Sequence, residues 1–406
     1  MPDFRPAIYE FLPRFCVFFL VAAVTVGAFT GGIWATLGIG GALISFLALW
    51  AADKKPPLPP RTLSLFTLAV LSVFAAEVPL SFSVALSLHK WLELASIFLP
   101  LLLLTAPRLQ QAAYSRDLIQ LLAVTAGFAA LLLSEELLGN GMLLHIVRNP
   151  DVGLTEYNRG VAHVVIFAFP LFAGLWGMGR KKTAYGLAAA LLFPASLTES
   201  HTAKLALIAG AACTAAAFYR PVAVRQALAF FACLLAGWPF YAQYAFTHAR
   251  ASVEKMHSSF AHRVEIWDYL SYRIAERPLF GWGLGTTHLL DFKNPNGLLY
   301  RYADGHAPHA HNFITGLWVE TGAIGLMLGF IFMLLALRKI SELRAPLQPF
   351  ALGCWTASVI VSLFGFDFWT DSLWAAFALS AFLFGILQQQ DGIQGAAGEK
   401  IGSMRS

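Results

Sequence analysis

Charge is scarce in this 406-residue chain: Asp, Glu, Lys and Arg make up 13% of it, against 58% hydrophobic residues. The apolar residues come in blocks near the twenty or so that a bilayer crossing needs, which points to a multi-span membrane protein. Cysteine is scarcer still. Cys16, Cys213, Cys233 and Cys354 all fall inside apolar blocks, so no disulfide framework is expected. The chain also lacks HExxH, a Cys/His metal array, a run of aspartates able to hold a divalent cation, and GxSxG. No metal and no cofactor is expected. No basic run is interleaved with stacking aromatics, so nucleic acid is not an expected partner.

What the chain has is twelve apolar segments, roughly 14–30, 32–51, 62–78, 90–105, 117–137, 160–178, 183–197, 203–219, 223–243, 314–337, 348–366 and 370–388. They predict an all-α, polytopic membrane protein of about 12 transmembrane helices, one integral domain over residues 1–406, with one large loop, 244–312, between the ninth and tenth spans. The first segment follows Arg5 and Arg14 and reads as an uncleaved first span. With the N-terminus inside, inner connections hold seventeen basic residues; short outer ones hold only Lys90, Arg148, Arg159 and Lys204. That bias turns the 244–312 loop outward. The net charge of +5 follows largely from it.

Polar residues gather in that loop, which carries seven of the eleven histidines. Val253, Met256, Phe260, Val264, Trp267, Leu270 and Ile274 recur at spacings of three and four, predicting an amphipathic helix ended by Pro278. Its apolar stripe is expected against the membrane surface or the ends of the spans, with Glu254, His262, Glu265 and Arg273 toward water and Arg263 at the border. Next comes PLFGWGLGT, residues 278–286, whose glycines read as a tight turn re-entering the membrane face. Their spacing matches no nucleotide-binding fingerprint.

His311 heads the tenth span. An imidazole near pKa ~6.5 is largely neutral at pH 7 and able to take a proton from a hydroxyl. On spacing alone it reads equally as an interfacial histidine capping a helix. Arg159, at the mouth of the sixth span, shares a membrane face with His311 and Arg263, and each arginine alone also reads as a side chain snorkelling to lipid headgroups. TESHTAKL, residues 198–205, adds His201 and Lys204 to that face. Together they suit a negatively charged, lipid-borne substrate. Asp304, His306 and His309 have spacing that fits no common metal site.

His311 and Asn312, nine residues, then Gly322 and Gly325, with Glu320 between and a large loop before, make a pattern that resembles the bacterial O-antigen ligases (WaaL) of the wider O-antigen ligase and polymerase superfamily. RVEIW, from Arg263 to Trp267, the PLFGWGLG turn and Arg159 resemble the same arrangement, and the likeness spans about residues 155–345. Many relatives have Ser-Arg before the eighth span; this chain has Ser200 and His201, with a cation at Lys204. Asp367 and Asp371 sit near the last outer turn, where some relatives carry a functional aspartate.

The resemblance implies an inverting, metal-independent glycosyltransferase in the bacterial inner membrane, working at its periplasmic face. Such enzymes move an O-antigen glycan from undecaprenyl diphosphate to a sugar hydroxyl of lipid A-core. His311 would be the catalytic base, Arg159 and Arg263 would bind the diphosphate, and Asn312, Glu320, Lys204, His201 and Trp267 would support the site. Partners would be the two lipid-linked substrates and membrane lipids. An O-antigen polymerase shares donor and chemistry; a protein O-oligosaccharyltransferase usually has an extra outer domain near the C-terminus, whereas this chain stops about eighteen residues after its last span. A lipid-linked glycan transporter would place its ionisable groups at mid-membrane.

Overall fold

The protein is described from a computed structural model covering residues 5–30, 32–113, 117–139, 157–253, 255, 258–290 and 309–389. Among the described residues there are fifteen α-helices and no strand. They are α1 (Arg5–Phe29), α2 (Ile33–Asp53), α3 (Arg61–Glu77), α4 (Val84–Leu103), α5 (Pro107–Ala112), α6 (Leu118–Leu138), α7 (Tyr157–Gly177) and α8 (Lys181–Leu197), followed by α9 (His201–Tyr219), α10 (Pro221–Leu235), α11 (Trp238–Val253), α12 (Ser258–Glu276), α13 (Phe313–Ser341), α14 (Gln348–Phe364) and α15 (Asp371–Gln388).

Every predicted apolar segment is helical. Among the described residues nine helices are long and apolar enough to cross a membrane alone, and α14 is a shorter apolar one. The ninth segment differs from expectation, because it breaks into α10 and α11 with a bend of 62°. Gly237 is a poor helix former, and Pro239 both lacks an N–H and clashes with the turn before it. A hydropathy window reads through such a break because the flanking residues are apolar.

Helix α7 lies at the centre, against α1, α6, α8, α9, α14 and α15. Sixteen of its 21 residues are buried, as its apolar character on every face demands. Helices α9 and α14 cross closely at Gly210 and Gly353, where a Cβ on either glycine would come within 3 Å of the other's carbonyl oxygen. A second apolar cluster holds α11 to α12 through Ala242, Phe246, Ala261, Ile266, Trp267 and Leu270. It seats the amphipathic helix over the bundle.

Candidate functional site

The site is built around the start of α13. Asn312 is fully buried and caps the helix, its Oδ1 accepting the Thr315 N–H at 2.9 Å. Its Nδ2 donates to the Leu363 carbonyl at 3.1 Å, while Thr202 of α9 donates to the next carbonyl, Phe364, at 3.2 Å. The last carbonyls of α14 have no intrahelical partner, so these two side chains satisfy them and draw three helices together.

Just before the cap, His311 takes a left-handed backbone with φ of 49°. Such a conformation costs a non-glycine residue about 1–3 kcal/mol and persists only where its surroundings hold it. The neighbours do so: Nδ1 of His309 accepts the His311 N–H at 3.3 Å, and the indole of Trp267 on α12 donates to the carbonyl of Ala310 at 2.9 Å. The two imidazoles lie 3.8 Å apart between centroids. His262 of α12 meets His311 edge to face at 5.9 Å.

Arg263 is near enough to act on both imidazoles, and Arg159 on that of His309. Arg263 projects half-buried from α12, and Arg159 stands exposed at the head of α7. Burial pushes the His311 imidazole down to about 2, helped by His309, Arg263 and His262 beside it. Burial likewise lowers His309 to about 4, with Arg159, Arg263 and His262 adding to the effect. Both rings are therefore neutral at neutral pH. Burial also lowers Arg263. The corner joins neutral proton acceptors to cations, a combination suited to an anionic substrate whose reaction sheds a proton.

The Pro278–Gly285 turn buttresses the site. Inside α13, Gly322 leaves the helix at φ 63°, ψ −165°, freeing backbone groups on both sides. The turn satisfies them: Trp282 and Gly283 N–H donate to the Val319 and Glu320 carbonyls at 2.9 and 2.8 Å, and Ala323 N–H donates to Pro278 at 2.8 Å. Irregular backbone at membrane depth survives only when protein covers it in this way. Gly281 and Gly283 also have positive φ, and a Cβ on either would strike the Glu320 backbone or the Ser81 side chain. The glycines of PLFGWGLG thus serve the expected turn.

Glu320, 3% exposed, locks the turn in place. Its Oε2 accepts from the Gly285 N–H and the Trp369 indole, both at 2.7 Å, and its Oε1 accepts from the Thr287 hydroxyl at 2.6 Å and N–H at 3.4 Å. Asp367 lies beside it; burial pushes that carboxyl up to about 6, against the pull of the Phe368 N–H and Lys90. Asp371 accepts from the Ser372 N–H at the start of α15.

The site residues named from sequence therefore separate into two groups. Arg263 lies beside both His311 and His309, and Arg159 acts on His309, whereas Asn312, Glu320 and Trp267 hold backbone in place behind them. His201 and Lys204 head α9, and their turn is tied to the neighbour of Arg159 by the Thr198–Asn158 hydrogen bond. The orientation expected for the amphipathic helix needs correction. Glu265 is buried, not toward water, as are Ile266, Asp268 and Tyr269, while Phe260 of the apolar stripe is 38% exposed. The reason is that α11 and α13 both pack on α12, covering more than one face. Glu254, Met256, Asp304 and His306 lie outside the described residues, as does much of the 244–312 loop.

Sequence reading missed the part of His309. Its signal was the His-x-His spacing ahead of a capping Asn, which sets two imidazoles close together just before the helix. It also missed His163, fully buried one turn below Arg159 and packed against Trp34 and Phe366.

With this geometry in view, the comparisons are informative. Residues 186–330, from α8 into α13, match the family described as O-Antigen ligase. Arg263, His311 and Glu320 lie within that match and Arg159 before it. A protein of Rickettsia conorii provisionally named a polysaccharide ligase is 24% identical over 249 residues, 59% of this chain and 60% of that one. Proteins of the same provisional name from Rickettsia felis and Rickettsia bellii are 25% and 26% identical over 27% and 29% of this chain, and 28% and 31% of their own. The alignments thus span less than two thirds of the curated relatives' length. The matched region, these relatives and the polytopic all-α fold support placing the chain in the O-antigen ligase superfamily.

Proposed function

We propose that the chain is an O-antigen ligase, moving a glycan from undecaprenyl diphosphate to a sugar hydroxyl of lipid A-core at the periplasmic face of the bacterial inner membrane. The observation that carries this reading is the meeting of two guanidinium groups with neutral imidazoles at the head of α13. The acceptor oxygen attacks the anomeric carbon as the bond from that carbon to the phosphate oxygen breaks. His311 takes the hydroxyl proton, and undecaprenyl diphosphate leaves with the electron pair. One displacement inverts the anomeric centre. The leaving group is already stable as an anion, so it needs cations, supplied by Arg159 and Arg263, and no protonating carboxylic acid. The paired carboxylates of glycosidases are unnecessary. The provisional names of the relatives agree with such a joining reaction.

The test incubates purified protein with lipid-linked glycan and lipid A-core, without added metal. Joined product is expected from the wild type and none from folded His311→Ala. Donor polymerised in place of joined product would reassign the chain as a polymerase, and near-normal ligation by His311→Ala would remove the base assignment.

A further inference from the structure

His309 takes no part in that step, yet it is tied directly to the base. Its Nδ1 accepts the His311 main-chain N–H, and its ring lies at 54° to the His311 ring with centroids 3.8 Å apart. Accepting at Nδ1 requires a lone pair there, so the ring carries its one proton on Nε2. The residue it holds is the one in this segment with a left-handed backbone, φ 49°. Ala310, between the two, is anchored by the Trp267 indole, which fixes the main chain that joins them.

We propose that His309 is the positioning residue of this site: as the neutral Nε2–H tautomer it keeps His311 in its left-handed turn and sets the angle at which that imidazole meets the acceptor hydroxyl. This rests on the reading of His311 as general base. Protonating His309 would convert its Nδ1 from acceptor to donor and release the turn. The charged and titratable groups around it are Arg159 from α7, His262 and Arg263 from α12, and His311 itself; burial opposes such protonation, and the two cations add to it.

Two substitutions separate the acceptor from the ring. His309→Asn places Oδ1 where Nδ1 stands, while His309→Phe keeps the ring and removes the lone pair. In the transfer assay His309→Phe should lose about tenfold or more in kcat with little change in KM for the lipid diphosphate donor, and His309→Asn should recover most of the loss. Nitrogen-15 NMR of histidine-labelled wild-type protein should show His309 as the Nε2–H tautomer, a result independent of activity and of how the variants fold. Full activity in His309→Phe beside an inactive His311→Ala would overturn the positioning role and leave the base reading intact. An Nδ1–H tautomer, or His309→Asn as impaired as His309→Phe, would overturn it as well. Activity retained in His311→Ala would instead sink the base assignment, and the positioning role with it.

Discussion

Asn312 and Leu363 are joined by a hydrogen bond of 3.1 Å from Nδ2 to the main-chain carbonyl, so a single side chain starts α13 and finishes α14. Replacing it with Ala removes a helix cap and leaves a buried carbonyl without a partner. The expected cost is about 2–4 kcal/mol. Asn312→Ser should recover the cap alone, roughly 1 kcal/mol. Thermal unfolding in detergent of the three proteins checks the order wild type, Ser, Ala; equal midpoints for Ser and wild type would show that the Leu363 bond contributes nothing.

Gly322 offers a sharper contrast. Its backbone lies where only glycine is comfortable, and an added Cβ would sit 2.2 Å from the main chain of Leu279. Gly322→Ala should cost more than about 3 kcal/mol and disturb the seating of the Pro278–Gly285 turn. Gly186, exposed on α8 with nothing near its Cβ position, should accept Ala with no loss or a gain of up to about 1 kcal/mol. Comparable losses at the two positions would refute the kink as the cause.

These cases show what hydropathy and spacing carry and what they do not. The helices were legible because bilayer thickness and apolar run length leave few alternatives, and Asn312 because a capping residue announces itself beside the helix it starts. For His311, Arg159 and Arg263, span parity predicts one membrane face from sequence alone. The partners of Glu320 were not: Gly285, Thr287 and Trp369 lie 35, 33 and 49 residues away, and only tertiary folding brings them to one carboxylate. Glu265 misled for a related reason, because periodicity describes one covered face and α12 has more.

For Glu320 the geometry predicts that shape matters more than charge. In Glu320→Gln the amide oxygen can face Gly285 and Trp369 while the NH2 group donates to the Thr287 hydroxyl, which accepts as readily as it donates, and the long 3.4 Å bond from the Thr287 N–H is lost. The loss should stay below about 1 kcal/mol. Glu320→Leu strands buried donors and should cost about 3–5 kcal/mol. Unfolding midpoints measure both, and a Gln variant as damaged as Leu would show that the negative charge itself is required.

The arginines are expected to act on donor binding. Charge-assisted bonds to phosphate contribute about 1.5–3 kcal/mol each, so Arg159→Ala and Arg263→Ala should each raise the half-saturating lipid diphosphate concentration roughly ten- to a hundredfold. Arg263→Lys should restore part of this, keeping a cation without the fork of donors. Titration of the donor in the transfer assay measures it; unchanged half-saturation in both Ala variants would refute the phosphate role.

Acid should loosen the site, and the sign follows from the histidines. In the folded protein His309 is lowered to about 4 and His311 to about 2, whereas in the unfolded chain both take protons near ~6.5. Below that pH the unfolded state binds more protons, so their contribution is intact above it and falls away as pH drops toward 4. Asp367 works the other way. Raised from 3.8 to about 6, it holds its proton longer in the fold and favours folding as pH falls through the same window. The net slope of wild type is therefore shallower than the histidines alone would give. A protein carrying both His309→Asn and His311→Asn keeps the Asp367 contribution and loses theirs, so its unfolding midpoint should fall less than that of wild type between pH 7 and pH 4, or even rise. Parallel curves for the two proteins would mean that neither imidazole is held neutral by the fold.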